Sequence, residues 1–239
     1  MSAPLLQVSG LQSGYGDVQV VWNVDLAVQP GAAVALIGSN GAGKTTILRT
    51  LSGLLRPLAG RITFGGEDIA DSPPATAVQL GLSHVPEGRR LITGLNVEDN
   101  LMLGAYLRRD GRAAIRADIE RMYELFPRLA ERRRQDATTM SGGEQQMCAI
   151  ARGLMAAPRL LMIDELSLGL APAIVDQLAE TLKTVRNGGT SLLLVEQDVE
   201  IALELADHVY VIDQGRTVLD GPSALIANEP SIREAYIGS

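Results

Sequence analysis

Residues 33–46 read AVALIGSNGAGKTT, in which an apolar run leads through a glycine-rich turn into a segment that favours a helix. Residues 38–45 match the spacing G-x-x-x-x-G-K-T, which is typical of a phosphate-binding loop between a strand and a helix. Glycine lets the backbone curl so that several N–H groups face one anion, and the following helix adds the partial positive charge of its N-terminus. The stretch predicts a nucleotide site, with Lys44 at the terminal phosphates and the Thr45 hydroxyl on Mg²⁺. A glycine-rich turn that binds nothing is the alternative.

A pair of carboxylates follows another apolar run, in RLLMIDE at residues 159–165. The carboxyl ends of parallel strands open onto the ligand crevice of an α/β sheet, so Asp164 is placed to hold Mg²⁺ through water. Glu165 is placed to orient or deprotonate an attacking water. An acidic helix cap is the alternative, and the phosphate loop upstream favours the catalytic interpretation.

The order of the apolar patterns predicts an α/β fold. Short strand patterns fill the chain to about residue 85, interrupted by a helix from Lys44 to about Leu54, and Trp22 beside one strand is expected in the core. Helical patterns alone occur from about 89 to 156, and strands alternate with helices from Arg159 onward. Such alternation is typical of a mainly parallel sheet covered by helices. We predict an ATP-binding α/β core over residues 1–88 and 157–239, and an inserted all-helical lobe over residues 89–156.

The composition narrows the function classes. The chain has 239 residues, 46% of them hydrophobic, and its net charge of −7 disfavours nucleic acid as a partner. Cys148 is the single cysteine, so an internal disulfide framework is excluded. The N-terminal residues lack the pattern of a secretory signal, and no apolar run reaches about 18 residues. Any membrane role is therefore expected to act through a partner.

A second glycine signal, MSGGEQQ at residues 140–146, opens a predicted helix. Ser141 and Glu144 have the spacing of a capping box, which explains the helix start but not the two glycines after Ser141. Exposed N–H groups at a helix start also suit an anion. Since the chain has its own phosphate loop, we expect this second site to meet a phosphate presented by another subunit.

Together, GSNGAGKT, MSGGEQQ, LLMIDE and SLGLAP (167–172) resemble the motifs of the ATP-binding cassette of ABC transporters. The resemblance covers essentially the whole chain, about residues 6–238, and implies a P-loop NTPase core with an N-terminal antiparallel β portion. Within that family, VPEGRR (85–90), YELFPRLAERR (123–133) and LVEQD (194–198) look most like the smaller cassette of bacterial branched-chain amino-acid importers. Cassettes of urea or short-amide importers are less similar.

The resemblance also implies roles for individual residues. Tyr15 matches the aromatic residue that stacks on adenine, and Glu87 matches a loop that senses Mg²⁺ and touches the membrane partner. Residues 167–171 match a loop that crosses the interface between two cassettes. The phosphates of bound ATP are expected to contact Gly38, Ser39, Asn40, Gly41, Ala42, Gly43, Lys44, Thr45 and Thr46. The γ-phosphate held by the opposite subunit is expected to contact Ser141, Gly142 and Gly143.

Three positions depart from the common family pattern. Glu87 stands where most cassettes carry glutamine, Leu166 where proline is usual, and Gln197 where most carry histidine. A carboxylate at position 87 can still ligate Mg²⁺. We predict that Gln197 acts in catalysis beside Lys44 and Glu165, because its amide can donate to a γ-phosphate oxygen and accept from water. The alternative is a cassette that binds ATP while a partner cassette hydrolyses it.

The resemblance predicts a Mg²⁺-dependent ATPase that drives amino-acid import. The implied partners are two membrane permease subunits, a second and different cassette docked head to tail, and indirectly a periplasmic or extracellular solute-binding protein. The implied location is the cytoplasmic face of the bacterial inner membrane. A soluble cassette ATPase of DNA repair or translation is the rival from another class, and this chain lacks both the long coiled-coil insertion and the second cassette typical of those proteins.

Overall fold

A computed structural model of the chain describes residues 3–232. The last part of the predicted α/β core, residues 233–239, lies outside the described residues, as do residues 1 and 2. The described strands are β1 (Leu6–Tyr15), β2 (Val18–Val28), β3 (Ala33–Ile37), β4 (Ala59–Phe64), β5 (Glu67–Asp68), β6 (Leu82–Val85), β7 (Leu160–Asp164), β8 (Ser191–Glu196), β9 (His208–Asp213) and β10 (Arg216–Pro222). The described α-helices are α1 (Lys44–Leu51), α2 (Pro74–Leu80), α3 (Val97–Gly104), α4 (Arg112–Leu125), α5 (Pro127–Glu131), α6 (Gly142–Leu154), α7 (Pro172–Asn187), α8 (Val199–Leu205), α9 (Ser223–Ile226) and α10 (Pro230–Ile232).

The main sheet has six strands in the order β10-β9-β3-β8-β7-β6. All neighbouring pairs are parallel except β10 with β9, which is antiparallel. The predicted parallel sheet is therefore confirmed. It places the carboxyl ends of β3, β7 and β8 side by side, at the edge where the predicted phosphate loop and carboxylates begin.

Each central strand of this sheet is buried on both faces. Along β3, Ala33, Ala35 and Ile37 belong to one hydrophobic core, whereas Val34 and Leu36 belong to another. Successive side chains of a strand point to opposite faces, so a continuous apolar run can fill two cores at once. The strand patterns in the sequence are continuous for this reason.

An antiparallel sheet in the order β2-β1-β4-β5 covers the second core, as the resemblance implies. The Trp22 backbone N–H donates to the Gly215 carbonyl at 2.7 Å, which ties β2 to the turn between β9 and β10. Trp22 is 40% exposed, and the guanidinium of Arg216 lies 5.6 Å from its ring centroid. The expectation that this tryptophan lies in the core is therefore wrong.

Between β6 and β7 the described chain forms helices α3 to α6, a short 3-10 helix at Ala137–Thr139 and one isolated bridge between Asn96 and Asp136. Helix α6 packs against α3 and also against β6 and β7. The Ser83 hydroxyl donates to the Gly153 carbonyl at 2.9 Å. Because the helical segment shares one hydrophobic core with the parallel sheet, the lobe boundaries at 89 and 156 stay a prediction.

Candidate active site

The loop over residues 38–43 joins β3 to α1 and has three glycines with positive φ, namely Gly38 (155°), Gly41 (80°) and Gly43 (104°). A Cβ atom on Gly38 would lie 2.1 Å from the Ile212 carbonyl oxygen, so only glycine fits there. Gly43 is the N-cap of α1, and no side chain caps this helix. The first N–H groups of α1 are therefore free to bind an anion held by the loop. The helix ends at Leu51, three residues before the predicted end.

Lys44 is only 4% exposed and folds back over the loop. Its Nζ donates to the Gly38 carbonyl at 2.7 Å and to the Ser39 carbonyl at 3.1 Å, and lies 4.0 Å from Glu165 Oε1. Burial lowers the pKa of Lys44, whereas the neighbouring carboxylates, Glu165 first, raise it. The ammonium group thus lies between the loop carbonyls and Glu165, where it can pair with a terminal phosphate.

Asp164 and Thr45 meet at the end of β7. The Thr45 hydroxyl donates to Asp164 Oδ1 at 3.1 Å, while the buried Oδ2 atom has no partner among the described residues. Burial raises the pKa of Asp164 to about 6. A buried carboxylate oxygen without a donor suits a cation, and hydroxyl and carboxylate oxygens are the ligands that Mg²⁺ prefers.

Glu87 lines the cavities that border this position. It lines one cavity with Thr45 and a second cavity with Asp164. Within residues 3–232, no group of three His, Cys, Asp or Glu side chains is placed to hold a metal ion by itself. The hydroxyl and carboxylate oxygens of Thr45, Asp164 and Glu87 fit a magnesium ion whose remaining ligands are phosphate oxygens and water.

Glu165 has a left-handed backbone with φ 58° and is 9% exposed. The Gln197 side-chain amide donates to Glu165 Oε1 at 3.2 Å, and the Glu165 backbone N–H donates to the Val195 carbonyl at 2.9 Å. Burial raises the pKa of Glu165, and the hydrogen bond from Gln197 opposes this shift. A carboxylate with a raised pKa is the better proton acceptor, which suits a general base.

Lys44, Thr45, Glu87, Glu165 and Gln197 line one cavity of about 380 Å³, whereas Asp164 lines the second cavity that Glu87 also lines. The lining of the first cavity contains most of the residues predicted for the site, namely Asn40, Gly41, Ala42, Gly43, Lys44, Thr45, Thr46, Glu87, Glu165 and Gln197, together with Val20. The structure thus brings together residues that lie more than a hundred positions apart in the sequence.

Tyr15 lies at the end of β1, outside the lining of this cavity. Its hydroxyl accepts from an Arg49 guanidinium nitrogen at 3.1 Å and from the Thr46 hydroxyl at 3.4 Å. The side chain is 42% exposed. These bonds hold the ring beside α1, and its stacking on adenine stays a prediction.

The second glycine motif begins α6 and does not line the cavity. Ser141 and Glu144 form the predicted capping box. Gly143 also has a packing role, which the sequence did not indicate, because a Cβ there would lie 2.7 Å from Ile174 Cγ2. A Cβ on Gly142 would meet only the flexible guanidinium end of Arg89, at 3.2 Å. Their contact with a phosphate of another subunit stays a prediction.

Two further residues near the site were not assigned roles from the sequence. Arg152 of α6 donates to the Arg89 and Arg90 carbonyls at 2.9 and 2.7 Å, and these two residues have φ of 64° and 47°. Glu196 is fully buried and accepts three hydrogen bonds from Leu166 and Ser167. Burial raises the pKa of Glu196 to about 7. The signal for Glu196 is a carboxylate within LVEQD, at the end of an otherwise apolar strand.

Comparisons with known proteins identify the family of the chain. The family model described as "ABC transporter" matches residues 21–167. The chain is 43% identical to the high-affinity branched-chain amino acid transport ATP-binding protein BraG of Pseudomonas aeruginosa, with 98% of this chain and all of BraG covered. It is 32% identical to BraF of the same organism, named in the same way, with 100% and 99% covered. A solved structure described as the ATP binding subunit of an ABC transporter is 30% identical and superimposes with a TM-score of 0.84, with 98% of this chain and 96% of that chain covered.

Proposed function

The chain belongs to the ABC transporter family, and on that basis we propose that it is the ATP-hydrolysing cassette of a bacterial importer of branched-chain amino acids. The observation that carries this proposal is the 43% identity to BraG over nearly the full length of both chains. Identity to BraF of the same organism is lower, at 32%. Of these two transport ATP-binding proteins, the chain is therefore more similar to BraG.

The arrangement around Glu165 supports hydrolysis rather than binding alone. Its carboxylate lies beside Lys44, which we assign to the terminal phosphate, and beside Gln197. Glu165 accepts the proton of an attacking water, and Gln197 keeps the carboxylate oriented. Lys44 and the N–H groups at the start of α1 stabilise the charge on the transferring phosphoryl group.

Thr45, Asp164 and Glu87 are the residues of this chain that would hold Mg²⁺. When bound, the ion neutralises charge on the phosphate oxygens and orients them. The hydrogen bond from Thr45 to Asp164 holds the hydroxyl oxygen at the start of α1 next to the carboxylate at the end of β7.

A second cassette completes the site in this proposal. Ser141, Gly142 and Gly143 start a helix whose N-terminus does not line the chain's own phosphate cavity. A head-to-tail pair would place that N-terminus on the γ-phosphate held by the partner, while residues 167–171 cross between the two chains. The two related proteins of P. aeruginosa support a pair made of two different cassettes.

A groove between the α/β core and the helical segment offers a place for the membrane partner. Within residues 3–232, no helix has both the length and the apolar character needed to cross a membrane. The groove has a volume of about 390 Å³, and the exposed side chains of Leu54, Leu103 and Tyr106 line it. Arg152 also lines it. We assign it to a cytoplasmic segment of a permease that carries apolar and acidic side chains, and we infer that the cassette lies on the cytoplasmic face of the membrane.

Affinity purification of the tagged chain from solubilised native membranes tests the proposal. Two polytopic permeases and a second, similar cassette are expected to copurify. Uptake of radiolabelled leucine by vesicles containing this complex should require internal ATP, and uptake of urea should not occur. A chain recovered alone, or with ribosomes or DNA, would contradict the transport function. Uptake of urea or short amides without leucine would leave the ATPase and change the substrate.

A further inference from the structure

Glu196 is the last residue of β8 and is fully buried. Its Oε1 accepts from the backbone N–H of Leu166 at 2.7 Å and of Ser167 at 3.2 Å, and its Oε2 accepts from the Ser167 hydroxyl at 2.9 Å. A buried carboxylate needs such donors, because loss of hydration penalises an unpaired charge. The two residues that it binds directly follow Glu165, so Glu196 fixes the chain on the carboxyl side of Glu165.

Strand β8 also fixes Glu165 at two other points. The backbone N–H of Glu165 donates to the Val195 carbonyl at 2.9 Å, and the Gln197 amide donates to the Glu165 carboxylate at 3.2 Å. Three consecutive residues at the carboxyl end of β8 therefore hold Glu165. Val195 holds its backbone, Glu196 holds the segment that follows it, and Gln197, directly after the strand, holds its side chain.

This support matters because of the backbone conformation of Glu165. Its φ of 58° lies in the left-handed region, which a non-glycine residue keeps only where its surroundings hold it. The N–H of Leu166 is one of the groups that hold it, and a proline at position 166 would have no N–H to donate. A residue with a backbone N–H at position 166, such as leucine, is therefore needed for the hydrogen bond to Glu196 in β8.

We propose that Glu196 is a positioning residue for Glu165, which keeps that carboxylate beside Lys44 and Gln197 by holding Leu166 and Ser167. The inference rests on the proposed function, because it takes Glu165 as the group that activates water. Leu166 and Ser167 also begin the segment predicted to cross to the second cassette. The same hydrogen bonds would therefore link the position of that segment to the position of Glu165.

Two substitutions at position 196 and one control separate positioning from general stability. Glu196→Gln keeps an oxygen for the two backbone donors, and its amide can donate to the Ser167 hydroxyl. Glu196→Leu has a similar size and no acceptor. Ser191→Ala is the control, since Ser191 is a buried polar residue of the same strand whose hydroxyl accepts from the Gly31 N–H at 2.9 Å, at the other end of β8.

Two measurements are made on each variant. The first is kcat and KM for ATP in the complex purified from membranes. The second is hydrogen exchange at the Leu166 and Ser167 amides in the full chain, which needs no turnover. Glu196→Leu should lower kcat by about tenfold or more while KM changes by less than about threefold, and both amides should exchange faster. Glu196→Gln should keep at least about half of the wild-type kcat, and its Leu166 and Ser167 amides should still exchange slowly. Ser191→Ala should match the wild type in both measurements.

Wild-type kcat in Glu196→Leu would overturn the inference, as would an equal loss of kcat in Ser191→Ala. If Glu196→Leu does not fold, Ser167→Ala decides the matter, because it removes one of the three bonds and should still lower kcat with KM unchanged; an unchanged kcat would then overturn the inference. Absence of ATP hydrolysis by the wild-type complex would instead overturn the proposed function, and the exchange rates would still show whether Glu196 holds the segment.

Discussion

The side-chain amide of Gln197 donates a hydrogen bond to Glu165 Oε1 at 3.2 Å, between the ends of two neighbouring parallel strands. Gln197 thus contacts the carboxylate that we propose as the general base. Glutamine cannot carry charge as a histidine can, so its contribution is orientation and hydrogen bonding.

Removing this contact gives the first prediction. Gln197→Ala should lower the turnover of ATP in the assembled complex by about tenfold, because Glu165 loses the donor that orients it. ATP affinity, measured by equilibrium binding, should stay within about threefold of wild type, since Lys44 and the loop amides remain. Unchanged turnover would show that Gln197 only ends the strand.

The role of Glu165 itself is tested by Glu165→Gln. The amide keeps the size of the side chain but cannot accept a proton, so turnover should fall by about a hundredfold or more. Binding of ATP should persist, which separates this variant from loss of the site. Glu124→Gln, on the exposed side of α4, is the matched control and should hydrolyse ATP normally. Full hydrolysis by Glu165→Gln would remove the assignment of the base and favour hydrolysis by the partner cassette.

The proposed magnesium ligands can be tested without turnover. Thr45→Val removes the hydroxyl that bonds to Asp164. Removal of Mg²⁺ with EDTA should weaken ATP binding by the wild type. In the presence of Mg²⁺, the variant should already bind ATP more weakly than the wild type, by about tenfold or more, and EDTA should weaken its binding little further. Thr181→Val on α7, outside the cavity, should keep the wild-type response. A variant that responds to Mg²⁺ as the wild type does would exclude Thr45 as a ligand.

The groove assignment predicts a defect in assembly and not in nucleotide binding. Tyr106 is 82% exposed at the groove, so Tyr106→Glu should not disturb the core but should lower copurification of the permeases by about tenfold. Leu225→Glu is the control, because Leu225 is 65% exposed and does not line the groove. Equal copurification with both variants would mean that the permeases bind elsewhere.

Much of this site follows from local sequence patterns. The run before Gly38 predicts a doubly buried strand, the glycines predict the loop, and Asp164 and Glu165 follow from the end of another apolar run. These features depend on residues close together in the chain, where period, glycine content and strand ends carry the information. The parallel order of β3, β7 and β8 then brings them together.

Other features depend on contacts between distant parts of the chain. Glu196 bonds to Leu166 and Ser167 because β7 and β8 pair with Asp164 opposite Val195, a register that no local pattern contains. The packing of Gly143 against Ile174 depends on how α6 meets α7. The roles of Glu196 and Gly143 therefore become visible only when the strands and helices are placed against each other.

His84 gives the last prediction, which concerns pH and stability. Burial is the main cause that lowers its pKa to about 4, and the positive charge of Arg49 lowers it further. Its Nδ1 meets the Ser52 hydroxyl at 3.3 Å, while Nε2 is buried without a partner among the described residues. The other charged or titratable side chains that line the cavities around His84 are Glu87, Arg90, Arg152 and Asp164.

The unfolded chain binds a proton at His84 below about pH 6.5, whereas the folded chain resists protonation until about pH 4. The free energy of unfolding contributed by neutral His84 is therefore fully present above pH 6.5 and is lost as the pH falls from 6.5 toward 4. Urea unfolding at pH 7.5 and 5.5 should show that the wild type loses about 1 kcal/mol more than His84→Gln, which cannot be protonated. Carboxylates elsewhere affect both proteins alike, so the difference isolates His84. An equal loss in both proteins would show that the pKa of His84 in the folded chain is not lowered, and would contradict the prediction.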